Sequence, residues 1–203
     1  MATPAVAEDQ VGYYVPVSLT VGESSPAYAP LGNDIEVPIA APPPQRQKTI
    51  NEMVEEAQQQ AADRFKLTKA VRQVMSAIKQ VESKGYPWAL CVNLGGGRYY
   101  SIYPRDYYEA AAYLGVLKTD NIDIGPWQVN YSSLGKPFGF KKTDLLNPYV
   151  SATLAAYTLG SEIAANGNTW NAIGNYHSRT LWRKIQYVNN VKRVLRKQGY
   201  TVE

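Results

Sequence analysis

The feature that most constrains this chain is a set of apolar residues spaced as on one face of an α-helix. Intervals of three, four and seven residues separate Leu67, Val71, Val74, Met75, Ile78 and Val81. This spacing predicts an amphipathic helix whose apolar stripe faces a core. Gly85 and Pro87 follow the stripe, and both residue types end helices. Glu82 is therefore predicted to lie in the last helical turn, beside the stripe.

Similar patterns predict further helices and a mainly α fold (α+β). Thr49 and Glu52 have the spacing of a capping box, so a polar helix is predicted over residues 49–63. Apolar stripes, with glycine stops after two of them, predict helices over residues 106–118, 148–166, 169–176 and 181–197. Residues 86–104 contain the turn Gly-Gly-Gly and predict a small β-hairpin insertion. Residues 119–147 are predicted to be irregular.

The first 48 residues have a different character. Apolar residues alternate over residues 11–21 and again over 35–39, which is the period of a strand, and a Pro-rich stretch at 41–44 predicts a stiff linker. One or two strands do not form a stable sheet alone. This extended acidic arm is therefore expected to pack on its own domain, to add a strand to a partner, or to be disordered. The expected domains are the arm (1–48), the polar helix (49–63) and a globular domain (64–203).

Charge is distributed unevenly along the chain. Residues 1–63 carry two basic and nine acidic side chains, a net charge of −7, whereas residues 64–203 carry nineteen basic and eight acidic ones, a net charge of +11. A basic domain favours an anionic polymer as its partner, such as nucleic acid, anionic lipid or cell wall. A solvated basic surface without such a partner is the alternative.

Several kinds of site are excluded by residue type. The chain has one histidine, His177, and one cysteine, Cys91, too few for a zinc site rich in either residue. The glycines at 95–97 lack the lysine and Ser/Thr of a phosphate-binding loop, and no Gly-x-Ser-x-Gly motif accompanies His177. No metal or cofactor is therefore expected, and both single residues are interpreted as structural. No apolar run reaches about 18 residues, so no membrane span is predicted.

Three segments, taken in order, carry a family resemblance. They are Val-Glu-Ser at residues 81–83, Asp-Ile-Gly-Pro-Trp-Gln-Val-Asn at 123–130, and Asn-Tyr-His at 175–177 before a final helix. This order resembles the lytic transglycosylase domain of the goose-type lysozyme superfamily over roughly residues 70–196. The family has Glu-Ser, then Gly-Leu-Met-Gln-Ile-Asn, then Ala-Tyr-Asn. The resemblance implies a lysozyme-like fold.

The resemblance also implies a reaction and a site. Glu82 would be the single catalytic acid, cleaving the MurNAc–GlcNAc bond of peptidoglycan to leave a 1,6-anhydromuramoyl end. An acid of this kind needs an apolar, partly desolvated setting to keep its proton. By the same resemblance, Ser83 would orient Glu82 and Gly125 would let the backbone approach the sugar. Gln128, Asn130 and Tyr176 would line the groove.

Alternative roles remain open for the residues around the acid. Ser83 is equally well read as a helix cap and Gly125 as a turn residue. Pro126 and Trp127 replace Leu-Met of the family and are expected to reshape one wall of the groove. Five tyrosines near the hairpin are interpreted as packing residues and not as rings that stack on sugars. They are Tyr99, Tyr100, Tyr103, Tyr107 and Tyr108.

A second set of residues follows Glu82: Arg98, then Pro104 and Arg105, then Glu-Ala-Ala at residues 109–111, then Asn-Ile-Asp-Ile-Gly at 121–125. This set resembles one subgroup, the specialised transglycosylases of type IV secretion and conjugation systems. The expected substrate is the glycan strands of peptidoglycan. The expected partners of the arm are subunits of a secretion machine or of a virion. Nucleic acid is disfavoured as a partner. The expected location is periplasmic, or alternatively virion-associated. The chain start lacks the pattern of a signal peptide, although Ala-Val-Ala at residues 5–7 resembles the end of a cleaved one.

Three other functions compete with this interpretation. A hydrolase of the same fold, carried by a virion, would produce reducing ends instead of anhydro ends. A wall-binding structural subunit would keep the fold without turnover, and the departures at Pro126, Trp127 and His177 favour it. A nucleic-acid binder rests on the basic charge alone.

Overall fold

The computed structural model describes residues 47–167 and 169–202, and the predicted acidic arm and its linker lie outside them. The described residues belong to one compact unit, Arg46–Glu203. They are mostly helical and include a small antiparallel sheet of four strands, in agreement with the predicted mainly α class. None of the described helices is both long enough and apolar enough to cross a membrane.

Six α-helices are present in the described part of the chain. They are α1 (Ile50–Arg64), α2 (Lys69–Ser83), α3 (Tyr107–Val116), α4 (Pro148–Asn166), α5 (Trp170–His177) and α6 (Leu181–Lys197). Each corresponds to a predicted helix. Two short helical turns precede α4, a π-helical one over Tyr131–Gly135 and a 3-10 one over Lys142–Leu146.

Helix α1 begins as its sequence predicts and is part of the compact unit. Thr49 caps it, and Glu52 completes the capping box by binding the backbone N–H of Thr49. The helix packs on α4. Its buried face consists of small residues and one valine: Val54, Ala57, Ala61 and Ala62. Alanines allow two helix backbones to approach closely, so a helix of polar composition still contributes to the core.

Helix α2 carries the predicted apolar stripe. Its residues Val71, Val74, Met75 and Ile78 are buried, and Thr68 caps its N-terminus. The helix ends where Lys84 and Gly85 both adopt positive φ angles, +58° and +77°. Such a left-handed turn is a common way to end a helix. Glu82 therefore lies in the last turn, as predicted.

The sheet extends beyond the predicted hairpin. Strands β1 (Leu90–Gly95) and β2 (Arg98–Ile102) form the hairpin, and β3 (Ile122–Ile124) and β4 (Val129–Asn130) extend it in the order β2-β1-β3-β4. The prediction of irregular structure over 119–147 is wrong for β3 and β4. Strands of three and two residues are too short to show an alternating pattern. They are stabilised by pairing with β1, which the local sequence does not reveal.

The two faces of the sheet differ in polarity, because side chains that lie opposite each other on paired strands point to the same face. One face is buried in the core and carries Leu90, Val92, Ile122, Ile124 and Val129. On the other face, register places four polar residues side by side: Ser101, Cys91, Asp123 and Asn130. We call these four residues the polar row.

Candidate active site

Glu82 is a partly shielded carboxylate near the polar face of the sheet. Its side chain is 14% exposed, and its Oε1 lies 3.7 Å from Nδ1 of His177 at the end of α5. The charge of Glu82 also influences Asp123 and Cys91 of the polar row. Because Coulomb interactions weaken with distance, this coupling indicates that the end of α2 faces the polar row.

Two tyrosines border Glu82 on the helical side. Tyr187 of α6 stacks on the ring of His177, with 4.6 Å between ring centroids and 3° between ring planes. Burial raises the pKa of both Tyr176 and Tyr187 well above the ordinary value, and the charge of Glu82 adds to each shift. Among the described residues, the Tyr187 hydroxyl makes no well-formed hydrogen bond, and a weak one to Glu82 contributes to its raised pKa. Both phenols therefore stay protonated beside the carboxylate.

His177 interacts electrostatically with the carboxylate of Glu82. Pairing with Glu82 raises the pKa of His177, burial opposes the shift, and the charge of Asp123 adds to it. The imidazole is 45% exposed, so it is accessible to solvent on one side. Glu82 and His177 therefore form an acid–base pair at the edge of the polar face.

Asp123 is the second carboxylate of the site, and both of its oxygens are occupied. Oδ2 accepts a hydrogen bond from the Asn93 amide at 2.8 Å, and Oδ1 accepts one from the Asn130 amide at 2.7 Å. Burial raises the pKa of Asp123, whereas these two hydrogen bonds lower it. The side chain is therefore fixed in place on the sheet.

The loop Gly125–Gln128 connects β3 to β4 and is bonded to both helices beside the site. Ser83 of α2 donates a hydrogen bond to the Pro126 carbonyl at 2.7 Å. Tyr176 of α5 donates one to the Trp127 carbonyl at 3.0 Å. These two bonds fix the loop between the helix that carries Glu82 and the helix that carries His177.

Gln128 has an unusual backbone conformation at the end of this loop. Its φ angle is +49°, in the left-handed region that residues other than glycine rarely adopt. Its side-chain amide donates to the carbonyl oxygens of Gly125 at 2.9 Å and Ala89 at 3.2 Å. These bonds hold the strained turn, and the half-buried side chain borders the polar face.

Three of the six predicted site residues have structural contacts that differ from the expected roles. Ser83 does not bind Glu82, since its buried hydroxyl donates to Pro126. Gly125 is a buried turn residue with a φ angle of +80°, which favours glycine. A Cβ added at this position would lie 3.2 Å from the Ser151 hydroxyl. The structure therefore favours the turn interpretation over an approach of this backbone to a sugar.

Asn130 also differs from its predicted role. Its amide nitrogen donates to Asn121 and Asp123, and its oxygen accepts from the backbone and hydroxyl of Ser133. With both ends engaged, this side chain positions Asp123 and caps the π-helical turn. Gln128 and Tyr176 also donate to backbone carbonyls, of Gly125 and Ala89 and of Trp127, so their role in lining a groove stays a prediction.

Trp127 contradicts the expectation that it reshapes a wall of the groove. Its side chain is 0% exposed and packs in the core. The Lys79 ammonium lies 5.8 Å from its ring centroid. Burial of so large a residue anchors the loop, and Trp127 contributes no exposed surface to the site.

Tyrosines near the hairpin combine packing with exposure. Tyr99, Tyr103 and Tyr108 are 67%, 57% and 58% exposed. Tyr103 nevertheless packs edge-to-face on Tyr86, and Tyr107 packs in the same way on Trp88 and Tyr108, as the packing interpretation predicts. Tyr99 lies opposite Asn93 in the sheet register, on the face of the polar row. It is therefore an accessible aromatic surface on the same face as the site.

His177, Asp123 and Tyr187 stand within the three sequence motifs, but the resemblance assigns none of them a catalytic role. A single histidine carries little information by itself, and the signal for His177 is its position directly after Tyr176. Asp123 opens the second motif and is the nearest candidate there for a second carboxylate. Tyr187 shares the stripe of Val191 and Leu195 on α6, at intervals of four residues, and this spacing by itself predicts a core residue.

The site offers acid–base chemistry without an evident metal centre. Within the described residues, no three side chains of His, Cys, Asp or Glu are grouped as ligands of a metal ion would be.

Comparisons with protein-family models, with curated proteins and with solved structures found no match for this chain.

Proposed function

We propose that this protein is a peptidoglycan lytic transglycosylase with a lysozyme-like domain, and that Glu82 is its catalytic acid and base. The observation that carries the proposal is the position of Glu82. It is a carboxylate 14% exposed at the end of α2, 3.7 Å from His177 and within electrostatic range of Tyr176 and Asp123. Partial burial suits a carboxylic acid that must donate a proton. Hydrogen-bonding side chains and an exposed Tyr99 suit a sugar chain.

The proposed reaction uses one carboxyl group twice. Glu82 gives its proton to the glycosidic oxygen as the bond from that oxygen to C1 of MurNAc breaks. The 6-hydroxyl of the same MurNAc then attacks C1, forming the 1,6-anhydro ring, and its proton returns to Glu82. No water is consumed, and the enzyme ends in its initial protonation state. The proton transfers follow the general rule for glycosidic cleavage.

The contacts of Asp123 support a mechanism with a single working carboxylate. Both of its oxygens accept amide hydrogen bonds, from Asn93 and Asn130. A retaining glycosidase needs its second carboxylate free to attack the sugar. In this mechanism Asp123 does not react with the sugar, and its charge influences Glu82 and His177 through space.

The proposed setting is the bacterial cell wall. A transglycosylase of this kind would open the peptidoglycan locally for a secretion or conjugation machine, in the periplasm or as part of a virion. The charge of +11 over residues 64–203 favours an anionic polymer such as the wall. The acidic arm, residues 1–48, would contact subunits of the machine.

The test is digestion of purified sacculi by the wild-type protein and by Glu82→Gln, with products identified by mass spectrometry. We expect the wild type to release anhydromuropeptides and the variant to release none. Glu109→Gln is the matched control, because Glu109 lies on α3 and binds Arg105. Unchanged release by Glu82→Gln, with a normal unfolding curve, would overturn the assignment.

A hydrolase is the second candidate, and the coupling of Asp123 to Glu82 favours it. A carboxylate near the acid can activate a water molecule in place of the 6-hydroxyl. The same mass spectra separate the two reactions, since the anhydro product is lighter by one water. Binding to sacculi without any released product would instead identify a wall-binding subunit.

A further inference from the structure

We infer that His177 is a proton-holding partner of Glu82: the two side chains share one reactive proton, and His177 passes it to Glu82 before the glycosidic bond breaks. This inference rests on the proposed glycosidic cleavage and deepens it. It gives a function to a histidine that replaces the asparagine of the family pattern.

The geometry of the pair is fixed from two sides. Nδ1 of His177 lies 3.7 Å from Oε1 of Glu82, and the imidazole is stacked parallel to Tyr187. Stacking restricts the tilt of the imidazole and so limits where Nδ1 points. A hydrogen bond between the two atoms needs an approach of about 1 Å. The inference requires the Glu82 side chain to make this movement by rotation.

The charged and titratable groups around His177 favour one proton on the pair. Glu82 on α2 and Asp123 on β3 favour the imidazolium, whereas Arg183 on α6 opposes it. Tyr187 on α6 faces the pair as a neutral phenol. Two carboxylates opposed by one guanidinium therefore favour the protonated form of the imidazole.

The proton balance of this scheme closes. The proton on Nδ1 of the imidazolium moves to Oε1, which leaves a neutral imidazole and a carboxylic acid. Glu82 then protonates the glycosidic oxygen as the bond to C1 breaks. The carboxylate takes a proton from the attacking 6-hydroxyl, and the pair again holds one proton. Over the cycle no proton is gained or lost.

The hydroxyl of Tyr187 is a second, independent observation at this pair. It is buried and makes no well-formed hydrogen bond among the described residues, although a weak one to Glu82 contributes to its raised pKa. A buried donor without a well-formed bond is costly in a folded protein. We assign the Tyr187 hydroxyl as a hydrogen-bond donor to Glu82 after Glu82 has given up its proton, because a carboxylate accepts a hydrogen bond from a phenol. Tyr187→Phe keeps the stacked ring and removes only this donor.

A histidine titration by NMR tests the pair without requiring activity. The chain contains one histidine, so a single imidazole resonance reports His177. We expect the titration midpoint of His177 to fall in Glu82→Gln, and to be unchanged in Glu109→Gln. An equal midpoint in the wild type and in Glu82→Gln would overturn the inference.

The pH dependence of turnover tests the use of the shared proton. In His177→Asn the alkaline limb should move to lower pH by about one unit or more, because a lone carboxyl group loses its proton earlier than the pair. His177→Gln is the second variant, in case the first does not fold. A uniform loss of rate with an unchanged limb would indicate a merely structural histidine and overturn the inference. An inactive wild type would overturn the proposed function, whereas the NMR titration would still report the pair.

Discussion

The hydroxyl of Ser83 donates a hydrogen bond to the carbonyl oxygen of Pro126 at 2.7 Å. Both residues are buried, and 43 positions separate them in the chain. The bond joins the last turn of α2 to the loop before β4. Glu82 precedes Ser83, so this contact sets the position of the acid relative to the sheet.

Ser83→Ala should therefore destabilise the protein. The substitution leaves the buried carbonyl of Pro126 without its partner, at a cost of about 1–3 kcal/mol. The measurement is the free energy of unfolding in urea. Ser132→Ala is the control, since Ser132 is exposed and should change stability by no more than about 0.5 kcal/mol. Equal stability of the two variants would show that the Ser83 bond contributes nothing.

Gly125→Ala should cost more than the same change at Gly139. Both glycines have φ near +80°, so both substitutions carry the same backbone strain, about 1 kcal/mol. Only at position 125 does the added Cβ meet other atoms, the Ser151 hydroxyl at 3.2 Å and the Leu145 carbonyl at 3.3 Å. The difference between the two unfolding free energies measures this close approach. Equal unfolding free energies for the two variants would mean that the loop Gly125–Gln128 shifts to accommodate the added Cβ at no cost.

The helices were predictable because their signals are local. The capping box at Thr49, the stripe of α2 and the stop at Lys84 and Gly85 each depend on residues within a few positions. The position of Glu82 in a last turn follows from the same signals. In contrast, β3 is defined by its pairing with β1, about thirty positions earlier, and no local pattern encodes that pairing.

The site was only partly predictable for the same reason. Sequence motifs bring Glu82, Gln128 and Tyr176 to attention, but they do not show which atoms bind which. Ser83 and Asn130 have polar side chains suited to a sugar, and the folded chain uses them to hold the loop and Asp123 instead. His177 and Tyr187 come together only when α5 and α6 pack.

The contact between Tyr149 and Glu56 predicts a change of stability at alkaline pH. Tyr149 on α4 donates to Glu56 on α1 at 2.8 Å, and burial with this bond raises the pKa of Tyr149 to about 12. A raised folded-state pKa gives a contribution that is complete below pH about 10 and lost as the pH rises through about 12. Tyr149→Phe should be less stable than the wild type at pH 8, by about 1 kcal/mol. The gap should close by pH 12, as measured by urea unfolding, and a constant gap would contradict the assigned bond.

The reactivity of the Cys91 thiol toward alkylation should depend on Asp123, its neighbour in the polar row. Burial raises the pKa of Cys91, and the charge of Asp123, its partner across the β1–β3 pair, raises it further. Since the thiolate is the reactive form, alkylation by uncharged iodoacetamide should reach its half-maximal rate above pH about 8.5, the value for a free thiol. Asp123→Asn should move this midpoint to lower pH, because a neutral amide no longer disfavours the thiolate. Glu109→Gln should leave it unchanged. Cys91 is the only cysteine in the chain, so mass spectrometry of the intact protein follows one reaction. Identical midpoints in the wild type and Asp123→Asn would mean that the two side chains of the polar row are not coupled.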